Sequence, residues 1–333
     1  MQFAVDAARD RTVGPTLDAG DQAIDGRASA TDATTSPPRV DAGTPIAILF
    51  GGALNDPAAP LTDTWEWDGT AWTQLDVTGP PAGAGTGLAP FHGDLVLIDG
   101  VGATWTWDGA AWTQVTAAGP PPRAGAVMAP IGDTLVLYGG GTYPPLADTW
   151  TWDGTAWTQL DVTGPPARDN AAMAPLDGKL VLFGGYNAAS FTYLADTWTW
   201  DGTAWSQLDA TGPRARENAV MAPLGGKLYL LGGDSYGDND AGEYVGGTFF
   251  SDTWTWDGTT WTQLEIAGPS LWESAIAPLG SRLLVFGGLL FDGGTSVGNT
   301  GDTWISDGGS WKLVPVAGPS ARESAVMGSL IAQ

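Results

Sequence analysis

The sequence predicts an all-β fold made of six repeats of four short strands. Three phrases recur in fixed order from Pro45 onward, the apolar runs are short and end in glycine, and 49 Gly and 24 Pro among 333 residues supply many turns. The first phrase is an apolar run closed by a Gly pair: Ile46 to Gly52, Leu135 to Gly140, Leu180 to Gly185, Leu228 to Gly233 and Leu283 to Gly288, with Asp99 replacing the first Gly in Leu95 to Gly100. The second is Asp-Thr-Trp-x-Trp-Asp-Gly-x-x-Trp-x-x-Leu, clearest at 148–160, 196–208 and 252–264. The third is Gly-Pro-x-x-Arg and a small-residue stretch ending in Ala-Pro, as at 164–175 and 212–223.

Each unit reads as four strands. In the fourth they are expected over Asn170–Ala174, Lys179–Phe183, Thr197–Trp200 and Trp205–Leu208. The second is continuously apolar and the last two alternate, the pattern of a covered strand followed by half-buried ones. Asp201-Gly202 predicts a type I′ hairpin between the last two, because that turn needs positive φ. The first Trp of the second phrase falls at 65, 105, 150, 198, 254 and 304, so connections lengthen while the scaffold is kept. Four strands in each of six units spell a β-propeller. The chain ends in a third phrase with no unit after it, Gly318 to Met327, and begins with an apolar run lacking an inner neighbour. Glu323–Met327 is therefore expected to pair with Ile46–Phe50 and close the ring, removing two exposed edges.

These phrases, with Trp200 and then Trp205 five residues on, resemble the kelch repeat over about residues 46–333, with Trp in place of the usual Tyr before the Asp. The resemblance implies a six-bladed kelch-type β-propeller and an Arg at the start of each innermost strand. It is shared in fold with galactose oxidase, whose copper ligands of two His, two Tyr and a Cys cannot be supplied by a chain with one His and no Cys.

Composition narrows the chemistry. With 37 acidic against 13 basic side chains, a net charge of −24, the chain repels phosphate backbones, and nucleic acid is not an expected partner. No apolar run reaches the roughly 18 residues of a membrane helix. Residues 1–45 hold nine Ala, seven Asp, six Thr and one aromatic, Phe3, and read as a disordered tail. The tail lacks the basic start and apolar region of a signal peptide, yet resembles the stalks of exported bacterial surface proteins. The expected location is extracellular or the cell surface, and the expected state a monomer.

Loop lengths divide the faces. First-to-second and third-to-fourth links are tight, whereas second-to-third connections grow to 140–147, 186–195, 234–251 and 289–301. On that loop-rich face the starts of the innermost strands carry Gly83, Arg123, Arg168, Arg216, Trp272 and Arg322, followed by Ala84, Ala124, Asp169, Glu217, Glu273 and Glu323. Four Arg and four carboxylates are expected to ring the channel mouth, as scaffold ties or as ligands, with Trp272 replacing an Arg. Tyr143, Tyr186, Tyr193, Tyr236 and Tyr244 are the tyrosines of the loop face, suited to stacking on a sugar or peptide or to pinning the loops. Asp234, Asp238, Asp240 and Glu243 form the densest acidic stretch and the candidate calcium loop, calcium being the one cofactor considered.

The resulting expectation is a non-enzymatic module presenting an acidic, loop-rich face to a protein or glycan partner. The alternative is a carbohydrate-active enzyme resembling the kelch sialic-acid mutarotases, with Arg168, Arg216, Glu217 and Glu273 as its site.

Overall fold

The computed structural model describes residues 43–54, 60–81, 87–141, 144–238, 244–266, 268–269, 271–292 and 295–331. The tail expected over residues 1–45, Gly83, Ala84 and Tyr143 lie outside these residues or, for the tail, almost entirely so. Among the described residues no helix is long and apolar enough to cross a membrane.

Six four-stranded antiparallel sheets form the blades. The fourth blade runs Ala172–Leu176, Lys179–Phe183, Thr197–Trp200 and Trp205–Leu208 from the inside out. Three of its strands lie where the sequence puts them. The innermost starts two residues later than expected because Asn170 is left-handed, at φ 51°, a conformation that cannot continue a strand. The same displacement governs closure. The terminal strand is Val326–Ile331, paired antiparallel with Pro45–Phe50 from Phe50↔Val326 to Pro45↔Ile331. Of Glu323–Met327, Val326 and Met327 do pair with the first strand, opposite Phe50 and Leu49, whereas Ser324 is left-handed at φ 54° and Glu323 instead bridges Ala53 beyond the end of the blade. The ring closes as expected, three residues further along the chain.

The third-to-fourth turns are not two-residue I′ hairpins. Trp200 pairs with Trp205, leaving a four-residue loop in which Gly202 alone has positive φ, 99°. Asp201 accepts the Thr203 and Ala204 N–H groups at 2.8 and 2.9 Å, so its carboxylate organises an Asx turn. Type I′ geometry occurs instead between the inner strands, where Asp177 and Gly178 have φ 49° and 73°.

Tryptophan joins the blades. The first Trp of each outermost strand donates its indole N–H to the first Thr of the preceding blade's third strand: Trp112 to Thr64 at 3.0 Å, Trp157 to Thr104 at 2.9 Å, Trp205 to Thr149 at 3.0 Å, Trp261 to Thr197 at 2.9 Å and Trp311 to Thr253 at 3.1 Å. Trp72 of the first blade completes the circuit on Thr303 of the last at 2.9 Å. Inner-strand aromatics pack on the same rings, as Tyr138 does edge-on to Trp205 at 5.2 Å and Phe183 to Trp261 at 5.2 Å.

The long second-to-third connections are hairpins: Tyr186–Asn187 with Thr192–Tyr193, Asp234–Asp238 with Tyr244–Phe249, and Leu289–Asp292 with Thr295–Asn299. They rise from the Gly pair that ends each second strand. At Gly185, φ 98°, a Cβ would sit 2.7 Å from the Asp169 carbonyl, and at Gly184 one would sit 2.6 Å from the Arg216 carbonyl of the next blade. The pair therefore marks where three chain segments meet too closely for any side chain.

Candidate functional site

The arginines expected at the mouth are held inside the wall. Arg123, Arg168, Arg216 and Arg322 have wholly buried guanidiniums, each gripping both oxygens of the Asp that opens its own blade's third strand: Asp148, Asp196, Asp252 and Asp63. Each also donates to the first Gly carbonyl after its second strand, at 2.8–2.9 Å. The same Asp accepts the indole N–H of the following Trp, at 2.7 Å for Trp65, Trp150, Trp198 and Trp254. Burial pushes these carboxyls up, but the guanidinium and indole hydrogen bonds outweigh it and hold all four below the ordinary value of 3.8. The Arg backbone meanwhile reaches the preceding blade, as in Gly185 N–H to Arg216 O at 2.8 Å. One side chain thus ties its own blade and one peptide ties the next.

Trp272 does not stand where an Arg should. The carbonyls of Arg168, Arg216 and Arg322 accept from the second Gly of the preceding blade; here Leu271 does so, from Gly233 at 3.4 Å. Trp272 occupies the place of Asp169, Glu217 and Glu323, and Glu273 that of Asn170, Asn218 and Ser324, with φ 53°. The sequence carries this signal: from Trp272 to the Ala-Pro pair is one residue fewer than from Arg168 or Arg216. Counting back from Ala-Pro rather than forward from Gly-Pro gives the correct register.

Two concentric sets of residues follow. The inner set is left-handed and linked across blades, Asn170 N–H to Gly125 O at 2.8 Å, Asn218 N–H to Asn170 O at 3.0 Å and Ser324 N–H to Glu273 O at 2.8 Å. The outer set pairs with the hairpin of its own blade, Asp169 with Tyr186 and Glu217 with Asp234 through reciprocal backbone bonds, and Trp272 with Leu289. This brings Asp169, Glu217, Asp234 and Glu273 together on the mouth of blades four to six. The Asn170 amide donates to Glu217 at 2.9 Å, the Asn218 amide to Asp234 at 3.0 Å, and the Ser324 hydroxyl to Glu273. Burial, reinforced by the neighbouring carboxylates, pushes Glu217 and Asp234 up to about 7, and burial raises Asp169 and, with Glu273 beside it, Glu323.

Aromatic rings stand around these acids. Tyr186 packs on Tyr193 at 4.8 Å, and Phe249 bridges Tyr236 at 5.8 Å and Trp272 at 5.6 Å, both edge-on. Burial, then Glu217 and Asp234, push the Tyr193 phenol up. Sequence reasoning missed Asn170, Asn218 and Ser324. The Asn and Ser could have been found from their fixed place two residues after each Arg.

Of the calcium loop, Asp240, Glu243 and the side chain of Asp238 lie outside the described residues, as does the side chain of Tyr244. Asp234 opens its hairpin strand and is drawn to the mouth by its backbone pairing with Glu217.

Closed six-bladed sheets, Gly-pair hairpin rims and repeated Arg–Asp–Trp ties define a β-propeller of repeat-protein type. The profile of the KLHDC2/KLHL20/DRC7 Kelch-repeats domain matches residues 94–270, more than half of the chain, and the protein belongs to this kelch-repeat family. No curated protein matches the sequence. Kelch repeats generally mediate protein–protein interaction.

Proposed function

We propose that this propeller is a non-enzymatic protein-interaction module whose docking face is the hairpin-bearing rim. One observation carries the reading. Of the six large hydrophobic side chains exposed among the described residues, four, Leu54, Val101, Phe191 and Tyr236, stand on second-to-third connections, Phe191 at 74% exposure and Val101 at 69%, while Leu313 lies on an outermost strand and Ile331 at the end of the closing strand. Solvent-facing apolar groups gathered on one rim, around a polar mouth, are what an interface core needs before its partner arrives. The opposite rim is built from tight turns such as Asp177-Gly178 and Gly225-Gly226, and among its described residues Ile331, at the end of the closing strand, is the one large hydrophobic side chain exposed there.

The sugar-enzyme alternative requires Arg168 and Arg216 to meet a substrate. Both guanidiniums are saturated by Asp196, Asp252 and carbonyls inside the wall, so that reading has no support from the geometry.

The test is site-specific photo-crosslinking in the native host, with a benzophenone amino acid at Phe191 or Tyr236 and, as controls on the opposite rim, at Thr155 or Thr203. The expected result is one protein adduct from the rim positions and none from the controls. Adducts formed equally from both rims, or from neither, would remove the proposal.

A further inference from the structure

The mouth of blades four to six holds an unbalanced charge. Asp169, Glu217, Asp234 and Glu273 act on one another electrostatically, Glu217 feeling the other three and Asp234 feeling Glu273. The arginines Arg168, Arg216 and Arg322 of the same ring are already committed to Asp196, Asp252 and Asp63. A second observation is independent of that count. Asp234 has 0% of its surface exposed, and while its Oδ1 accepts from Asn218, its Oδ2 is buried with no hydrogen-bond partner. A buried carboxylate oxygen without a donor is an open valence for a cation, since native interiors rarely leave such atoms unmet.

The chemistry of that cation follows from the surroundings. No three of the described carboxylates lie close enough to share a metal ion, so the charge they call for is spread over several donors rather than concentrated at a point. Ammonium offers three N–H donors and guanidinium five, in directions that separated carboxylates can meet. The half-buried rings of Tyr186, Tyr193, Phe249 and Trp272 add faces whose quadrupole attracts an organic cation. An anion would meet four carboxylates, while the guanidiniums of Arg168 and Arg216 are already bound to Asp196 and Asp252.

We propose that this aromatic-walled acidic mouth receives the cationic side chain, lysine or arginine, of the partner protein. The inference rests on the reading of the hairpin rim as a protein-docking face. The rim anchors would hold the partner, and the mouth would select it by charge.

The test uses the full chain with N-acetyl-lysine methylamide and N-acetyl-arginine methylamide, their neutral counterparts from norleucine and citrulline, and methyl β-galactoside, titrated by protein-observed NMR. The cationic amides should bind at least about tenfold more tightly than the neutral ones, and Glu217→Gln/Glu273→Gln should remove about tenfold of that affinity. Asp257→Asn/Asp307→Asn on the opposite rim changes net charge equally and should leave affinity unchanged; melting curves report that both variants fold. Equal binding of lysine and norleucine amides, equal losses from the two double variants, or preferential binding of the galactoside would overturn the inference. If rim cross-links form but the cationic amides show no preference, the charge selection fails and the docking face stands. If no rim cross-link forms, the docking reading itself fails, whatever the amides do.

Discussion

Replacing Arg322 by Leu is the most informative perturbation of the scaffold, because this side chain ties the C-terminal arm to the first blade across 259 residues of sequence. Its guanidinium makes two bonds to Asp63, at 2.6 and 2.9 Å, one to the Gly51 carbonyl at 2.9 Å, one to the Ser320 carbonyl at 3.0 Å and one to the Ser320 hydroxyl at 2.9 Å. Leu would leave the Gly51 and Ser320 carbonyls and the Asp63 carboxylate unmet. Removing one member of a buried ion pair costs about 3–5 kcal/mol. Asp63 keeps its bond from the Trp65 indole and is 20% exposed, so water can reach it and the loss belongs at the lower end, about 3 kcal/mol. At roughly 2 °C per kcal/mol for a large domain, the melting temperature should fall by roughly 6 °C. Differential scanning calorimetry of Arg322→Leu, Asp63→Leu and the double variant closes a cycle, with a coupling of roughly 2 kcal/mol expected. The sixth blade sets the precedent for tolerance, since Leu271 already takes the Arg place in the backbone pattern. The sign with pH is fixed: Asp63 has a folded-state pKa depressed below 3.8, so the pair contributes fully above that ordinary value, and its contribution is lost as pH falls through the folded-state value. The gap between wild type and Arg322→Leu should therefore close only in acid. A fall of less than about 2 °C, or strictly additive single variants, would refute the ion-pair staple.

Three further outcomes are expected. Thr197→Val leaves the buried Trp261 indole N–H without its acceptor at 2.9 Å and should cost about 1–3 kcal/mol by chemical denaturation, whereas a Val at exposed Thr203 should shift the midpoint far less. Glu217 and Asp234, pushed up to about 7 by burial and by the carboxylates facing them, Asp234, Asp169 and Glu273 for Glu217 and Glu273 for Asp234, hold protons in the folded state that the unfolded chain has released. Stability should thus rise as pH is lowered from about 8 to about 5.5, and Glu217→Gln/Asp234→Asn should flatten that slope; an unchanged slope counts against the shared acidic mouth. Deleting residues 318–333 removes both the closing strand and Arg322, and should lower the melting temperature well beyond the single substitution, with an unchanged melting curve contradicting the closure.

Much of the fold was legible because propeller physics writes itself locally. An apolar run, a Gly pair and a Trp hairpin each follow from neighbours within one blade, and repetition six times makes the period unmistakable. Lys179–Phe183, Thr197–Trp200 and Trp205–Leu208 needed nothing beyond alternation and burial. The closing partner was legible too, from a surplus phrase at one end and a missing strand at the other. Its register was not. The residue that ends the arm, Ser324, takes a left-handed conformation only because the Glu273 carbonyl of the neighbouring blade accepts its N–H, and no local pattern in the sequence states that bond.

The site divides along the same line. The residue types at the mouth are fixed by the sequence, but their roles depend on who meets whom in space. Arg168 and Glu217 follow from equivalent phrases and share the same sequence prominence, yet the wall takes Arg168 into a bidentate pair with Asp196, 28 residues away, and leaves Glu217 facing three other carboxylates. Asp234 reads as one acid among four on a loop until backbone pairing with Glu217 draws it to the mouth and buries it. Sequence determined the blades, their number and the ring, because those rest on short-range burial and hydrogen bonding. Tertiary structure alone decided which charges cancel and which remain, because ion pairing is a property of distance in space, and the repeat brings residues from three blades within reach of one another.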